Sequence, residues 1–507
     1  MSVQSSEQIW NELVSSNQWW QKTEKINNDS YIEQFENSLI KWIPRISNTF
    51  NFNKDLVYSL RGPRQVGKTT LIKLQIKKFL EQNTPKWNII YYSFDLYDKP
   101  SELVNFIKIY FDKTTRLRDK DNRCYLFLDE ISNVKEWQKG IKKLWDDGYL
   151  KNCTIIVTGS HSVDLQRSTE MLPGRLGKIE EGDTYDKIFL PMKFSEYVSI
   201  LDKEIKMIID ESFKRENRKE IFQKLMNNEI DSRFELDAYL PKLNQYLNEY
   251  LITGGIPKVI NEYIKMAKIE SYIYDTYFRS IIGDLHSLDA DDSTFKRIIS
   301  HLIQHHNYPM SFRNIQKNTD IGSSNTVERY INLLCNMFIL TTFYKYDSST
   351  KQKRTTDDKK FHFHDPFFFH TLNSWLKPEE SFKTTLKYLE QESAKNLLLE
   401  GVIGDHLIRF AFFLSTKKYM FDYTNYIFYW QDKSKNEVDY ILYDGYNIEI
   451  PIEVKYTRDK ISRNQLTGFL NFRKTNNVKN GLIITNDEFK IEDGYIKIPA
   501  SIFLLLI

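Results

Sequence analysis

The order of apolar and polar residues divides the chain into stretches of different period. "DLVYSL" (55–60) is an apolar-rich run of strand length, and shortly after it "TLIKLQIKKFL" spaces its apolar residues three and four apart, as a helix does. "WNIIYYSFDL" (87–96), "CYLFLDEI" (124–131) and "CTIIVTGS" (153–160) are further strand-like runs, while "SELVNFIKIYF" (101–111) and "VKEWQKGIKKLW" (134–145) have helical spacing. Continuous apolar strands alternating with helices predict an α/β domain built on a parallel sheet. From about 200 to 290 helical spacing dominates, broken by "TGGIP" (253–257), which predicts a tight turn between helices.

The period changes again at Phe295. "FKRIISHLIQ" (295–304), "SFRNIQKNT" (311–319) and "SSNTVERYINLLCNMF" (323–338) read as three short helices, followed by strand-like "ILTTFYKY" (339–346) and "KKFHFHD" (359–365) joined by "DSSTKQKRTTDD". This is a winged helix-turn-helix pattern. In the third helix Val327, Ile331, Leu334, Cys335 and Phe338 share one face, while Ser323, Ser324, Asn325, Arg329 and Asn332 point away from it. Such modules place the exposed N-terminal part of their third helix in the major groove, and Lys351, Lys353, Arg354, Lys359 and Lys360 in and beside the hairpin could contact phosphates. The same module also serves as a protein–protein connector.

In the last part, "NLLLEGVIGDHLIRFAFFL" (396–414) is an apolar helix carrying Glu400, and "NEVDYILYDGYNIEIPIEVKY" (436–456) is a hairpin turning at Asp444–Gly445. "SRNQLTGFLNF" (462–472) then reads as a helix with Gln465, and "GLIITN" (481–486) as a strand. The expected organisation is an N-terminal helical segment (1–50), an α/β core (51–200), a helical lid (201–292), a winged helix (293–365) and a C-terminal α/β domain (366–507). A chain of 507 residues is too long for one hydrophobic core.

Composition changes this picture little. Seventy-one basic and sixty-eight acidic residues leave a net charge of +3, so phosphate contacts must come from local clusters. Three widely separated cysteines, Cys124, Cys153 and Cys335, show neither pairing nor zinc spacing, which leads us to expect a reducing, cytoplasmic setting. The longest clean apolar run, "IFLLLI" (502–507), is far short of the roughly 20 residues of a membrane helix, so a soluble chain with no membrane partner is expected. His301 with His305, and His362 with His364, have spacings that could hold a metal, although packing or surface roles are the commoner use of such pairs.

Candidate chemistry is concentrated in two places. Between the first strand and helix lie Gly62, Pro63, Arg64, Gln65, Val66, Gly67, Lys68, Thr69 and Thr70. Glycines at both ends let the backbone curl around phosphate oxygens at a helix N-terminus. Lys68 would reach the β and γ phosphates of ATP, and the Thr69 hydroxyl would ligate Mg2+. Asp129, at the end of a buried strand, is expected in the Mg2+ shell, with Glu130 polarising the attacking water; Thr158 or Ser160 could sense the γ-phosphate. Arg175, in "LPGRLGKI", is the candidate for stabilising transition-state charge, and Arg279 competes for that role. In the C-terminal hairpin, Asp439 lies on one strand and Glu453 and Lys455 lie two residues apart on the next. Two carboxylates holding Mg2+, with a lysine to orient water, is an arrangement suited to phosphodiester hydrolysis.

Taken in order, "GPRQVGKTTL", "LFLDEI", "VTGS", "LPGR" with "LPMKFSEY", "GGIPKVI", "NEVDYIL" and "IPIEVKY" resemble the motifs of a large group of archaeal and bacterial AAA-type ATPases with a C-terminal restriction-nuclease-like domain. The resemblance spans about residues 20 to 507. It implies ATP in place of GTP, a helical lid, a winged helix and a nuclease-like α/β fold of the PD-(D/E)XK type. Lys68, Thr69, Asp129 and Glu130 match the ATPase motifs, and Asp439, Glu453 and Lys455 the nuclease-like ones. The expected partners are DNA, duplex or branched, and further copies of the chain. A nucleotide-controlled assembly switch with an inactive docking module is the alternative expectation.

Overall fold

The computed structural model describes residues 5–159, 165, 183–234, 236–286, 290–443, 448–457 and 459–507. The chain divides into two compact units, Met1–Leu190 and Pro191–Ile507.

The first unit is built on five parallel strands, β1 (Leu56–Arg61), β2 (Ile89–Ser93), β3 (Cys124–Asp129), β4 (Cys153–Thr158) and β5 (Asp186–Ile188), in the spatial order β2-β3-β4-β1-β5. Both faces of β1 and β4 are buried, which explains why their sequences are apolar runs without alternation. Helices α1 (Ser6–Ser16), α2 (Ser30–Glu36), α3 (Lys68–Glu81), α4 (Pro100–Lys113) and α5 (Trp137–Asp146) belong to the same unit.

The N-terminal segment does more than supply helices. Asn17, just after α1, donates through Nδ2 to Tyr91 O (2.9 Å) and accepts the Tyr91 N–H (2.7 Å), so one side-chain amide pairs with the edge strand β2 as a neighbouring strand would. Trp20 Nε1 donates to Ile89 O at 2.9 Å and seals the same edge with a fully buried indole.

The second unit holds a mixed sheet of eight strands: β6 (Leu340–Asp347), β7 (Gln352–Phe363), β8 (Ile427–Gln431), β9 (Glu437–Tyr443), β10 (Glu449–Lys455), β11 (Leu482–Thr485), β12 (Lys490–Glu492) and β13 (Tyr495–Pro499). Their spatial order is β12-β13-β11-β10-β9-β8-β6-β7. The expected helical stretch is present as Lys203–Ser212, Arg215–Met226, Leu240–Thr253, Pro257–Met266 and Ser271–His286. The three helices expected after Phe295 are Asp292–Gln304, Phe312–Asn318 and Ser324–Asn336. In the last of these Val327, Ile331 and Leu334 are buried and Ser323, Asn325, Arg329 and Asn332 exposed, as their spacing requires.

The β6–β7 hairpin differs from the sequence expectation in two respects. Its second strand begins at Gln352, because Gln352, Lys353 and Arg354 pair with Asp347, Tyr346 and Lys345 of β6 ahead of an irregularity in the register, and leave only a short turn. It is also no separate layer: β6 pairs in parallel with β8, so the hairpin, the helices before it and the C-terminal strands fall in one unit. The C-terminal run expected to be too short for a membrane is the helix Ala500–Leu506, buried along its whole length. Among the described residues no helix is long and apolar enough to cross a membrane.

Candidate functional site

Residues 62–67 form the turn between β1 and α3. A Cβ at Gly62 would lie 2.0 Å from the carbonyl oxygen of Phe189, whose own N–H bonds Arg61 O at 2.6 Å, so only glycine lets the chain after β5 pass this close. Gln65 (φ 60°) and Gly67 (φ 109°) both adopt left-handed backbone, which curls the loop into the first turn of α3. The buried Lys68 ammonium donates to two carbonyls of this loop, Gly62 O and Pro63 O, each at 2.9 Å.

Order in the sheet sets the rest of the site. β4 lies between β1 and β3, so Asp129 at the end of β3 faces the loop across the end of β4. Three hydroxyls donate to its carboxylate: Thr69 Oγ1 at 2.8 Å and Tyr91 at 3.0 Å on Oδ2, and Thr158 Oγ1 on Oδ1. Thr158 also accepts the Glu130 N–H at 3.2 Å, linking the two acids through one side chain, and Glu130 itself adopts left-handed backbone (φ 49°). Burial and the Asp129 charge both push the Tyr91 phenol up, so it remains a donor. Lys73 sits 3.5 Å over the Tyr91 ring and pairs with Asp29 at 3.0 Å. Tyr31 on α2 is pushed up by partial burial and by the charges of Asp129, Asp29, Asp95 and Glu130, which brings the N-terminal segment to the border of this site.

Gly62, Pro63, Arg64, Gln65, Val66, Gly67, Lys68, Thr69 and Thr70 therefore form one loop-and-helix turn, with Asp129 and Glu130 beside Thr69 and Thr158. A loop ending at a helix N-terminus, a lysine held on exchangeable carbonyls and a Thr–Asp oxygen pair fit a magnesium-bound triphosphate. Ser160 and Arg175 lie outside the described residues. Arg279 is exposed on the helix Ser271–His286.

Residues 54–198 match the family described as "AAA domain", and with the strand order and loop geometry this settles the fold. The first unit has a P-loop NTPase fold. Residues 244–379 and 397–503 of the second unit match two families described as domains of unknown function, DUF8612 and DUF4143. The chain is 25% identical over 488 residues to "Uncharacterized protein MJ1637" of Methanocaldococcus jannaschii, covering 94% of this chain and 87% of that protein. It is 23% identical over 318 residues to an "Uncharacterized protein" of Haemophilus influenzae, covering 61% and 67%. Similar solved structures include the Walker-type ATPase PABY2304 of Pyrococcus abyssi (TM-score 0.35, 14% identity, 69% of this chain and 97% of that one) and CDC6P from Pyrobaculum aerophilum (TM-score 0.22, 13% identity, 63% and 88%).

Away from the P-loop unit, the structure gathers a second set of acids. β9 and β10 pair antiparallel with Ile452 opposite Tyr440, a register that sets Glu453 against Asp439 one step further on. Asp439 Oδ2 accepts the Val454 N–H at 2.7 Å, and the Asp439 N–H donates to Glu453 Oε2 at 3.4 Å. Lys455 Nζ lies 2.5 Å from Glu453 Oε1. Glu400 comes from the helix Glu392–Leu414, which Tyr440 anchors by donating to Glu400 O at 2.7 Å. Burial and the Asp439 charge push both Glu400 and Glu453 up to about 8, and burial also raises Glu437.

The expectation that Lys360 contacts phosphate is overturned. Lys360 is 1% exposed, and its ammonium lies 2.6 Å from Glu400 Oε1, 2.6 Å from Glu437 Oε1 and 3.5 Å from Asp439 Oδ1. Burial works against its charge, but these three acids hold its pKa well above the ordinary lysine value. Lys359 is buried too, donating to Thr355 O and Asp357 O. The other hairpin cations pair internally, Lys351 with Glu449, Lys353 with Asp422 and Arg354 with Asp347. The run looks solvated in sequence because its acids are distant in the chain.

As a seat for Mg2+ the Asp439–Glu453 pair does not fit: a lysine stands against the carboxylates from either side. Among the described residues, no three or more His, Cys, Asp or Glu side chains form a group able to hold a metal ion. Sequence reasoning assigned Lys360 to phosphate instead of to this cluster and missed Glu437, although Glu437 shares a strand face with Asp439 two residues later. It also missed Asp365, whose carboxylate accepts the Gly255 N–H (2.7 Å) and the Phe367 N–H (2.8 Å). Gly254 (φ 61°) turns so tightly here that a Cβ would fall 1.9 Å from Asp365 Oδ1, which accounts for the "TGGIP" motif. The histidine pairs take packing and surface roles: the ring of buried His301 lies 4.2 Å from that of exposed His305, and beside buried His362 the half-buried His364 has Nδ1 2.7 Å from Asp405.

Proposed function

We propose that the protein is a magnesium-dependent ATP hydrolase whose second unit binds DNA; with lysines seated on its carboxylates, that unit is read as binding DNA and not as cutting it. The observation that carries the ATPase reading is the Thr69–Asp129 contact at 2.8 Å, which places a hydroxyl of the phosphate loop and a buried carboxylate side by side. Thr69 and Asp129 would hold Mg2+; when bound, the ion neutralises charge building on the β- and γ-phosphate oxygens. Lys68 would exchange the carbonyls of Gly62 and Pro63 for phosphate oxygens. Glu130 would take the proton of the attacking water as ADP leaves, and Thr158, bonded to both acids, would hold their relative position.

The DNA reading is supported by topology: a helix bearing Glu400 precedes β8-β9-β10, and the helix Thr467–Thr475 crosses over to β11 parallel to β10. Its test is phosphate release with duplex, branched and single-stranded DNA at two salt concentrations. Stimulation that weakens with salt is expected. Absence of both stimulation and salt-sensitive binding would remove the DNA reading and leave the ATPase standing.

A specific observation favours a second reading, a nucleotide-controlled assembly switch whose second unit is a docking module. Lys345, Lys351, Lys353, Arg354, Lys359 and Lys360 of the hairpin are each buried or paired within the unit, which leaves this element little charge to offer phosphates. An oligomer that forms with ATP and dissolves with ADP, irrespective of DNA, would mark this reading as correct.

A further inference from the structure

We propose that the ammonium of Lys360 is the resident cation of the C-terminal carboxylate cluster, and that it keeps a divalent metal ion out of it. The inference stands on the second unit alone and holds whichever reading of the ATPase is correct.

An ammonium has three donors in a compact tetrahedral head. Two of those of Lys360 donate to Glu400 on the helix Glu392–Leu414 and to Glu437 on β9, each at 2.6 Å, and the ammonium forms an ion pair with Asp439, also on β9, at 3.5 Å. The residue comes from β7, a strand of the hairpin, and reaches the cluster because β6–β8 pairing makes hairpin and cluster one sheet. From the other side Lys455 takes Glu453 Oε1, while backbone N–H groups occupy Asp439 Oδ2 and Glu453 Oε2. A divalent ion needs several oxygens aimed at one point about 2.0–2.6 Å away. Here the oxygens are aimed at two ammonium groups and two amides, and an ion among them would face both lysines at close range. Two ammonium groups of the chain stand where a bound cation would, in a form that cannot be chelated away.

The test titrates the full chain with MnCl2, without nucleotide, and counts bound ions by electron paramagnetic resonance. The parent and Asp439→Asn should bind the same number, because the cluster contributes no site. Lys360→Met should gain one ion per chain, and adding Asp439→Asn should abolish that gain, whereas Lys360→Arg should gain none. An Asp439-dependent ion in the parent would overturn the proposal. So would a Lys360→Met protein that is folded by circular dichroism and gains no ion. If Lys360→Met does not fold, the parent and Asp439→Asn comparison decides alone. Since the readout omits nucleotide, ATPase activity neither rescues nor sinks it.

Discussion

Two buried carboxylate sites in one chain are satisfied in opposite ways. In the P-loop unit Asp129 is met by the hydroxyls of Thr69, Thr158 and Tyr91, and the nearby Lys68 rests on backbone carbonyls. In the second unit Glu400, Glu437 and Glu453 are met directly by the ammonium groups of Lys360 and Lys455. Hydroxyls satisfy an acid without neutralising it, so a site built from them retains its appetite for a cation that arrives with substrate. An ammonium of the chain is a counter-ion that stays in place whatever the acid's protonation. The contrast is between a site prepared for a mobile cation and one that carries its own.

The largest effect expected from this contrast is on stability in the second unit. Lys360→Met leaves buried acids without their counter-ion and should cost about 3–5 kcal/mol in urea unfolding, because breaking a buried pair from one side strands the other charge. Adding Glu400→Met should return part of that loss. The equivalent change in the P-loop unit should behave differently. Lys68→Ala should lower ATP turnover by about 10²–10³-fold, the range for losing one well-placed electrostatic contact, while shifting the unfolding midpoint little. If Lys68→Ala unfolds the protein or Lys360→Met leaves stability unchanged, the contrast fails.

A smaller effect is expected from pH. The folded carboxyls of Asp365, Glu400 and Glu453 titrate near 7, 8 and 8, against ordinary values of 3.8, 4.5 and 4.5, with burial the first cause in each. Between those limits the folded state binds more protons than the unfolded one, so stability should be greatest at the acid end and decline as pH rises through 7 to 8. Urea unfolding at several pH values, with Glu453→Gln to flatten the slope, checks this; a rise in stability from pH 6 to 9 would refute it. Smallest is Thr158→Val, which removes one donor from Asp129 and should slow turnover by about tenfold at a cost near 1 kcal/mol.

How much of this could be read from sequence depended on whether partners were close in the chain. The phosphate loop was legible because strand, glycines and helix are contiguous, and Asp129 because a wholly apolar run that ends in two acids has few other uses. Asp439, Glu453 and Lys455 were legible as one face because strand alternation is local. Lys360 was not. It sits in a polar, highly charged tract whose first half is an exposed strand, and only the pairing of β6 with β8 reveals that its second half is core. Asn17 pairing with β2, and Asp365 under the glycine turn, were hidden for the same reason: each satisfies backbone groups that are distant in sequence.

Breakdown of ATP by the P-loop unit with the residues assigned is tested most directly by single-turnover release of labelled phosphate from ATP and Mg2+. The parent should release phosphate only when Mg2+ is present, and Glu130→Gln should retain nucleotide while releasing almost none. A parent that releases no phosphate, or a Glu130→Gln protein that releases it at the parental rate, would contradict the account.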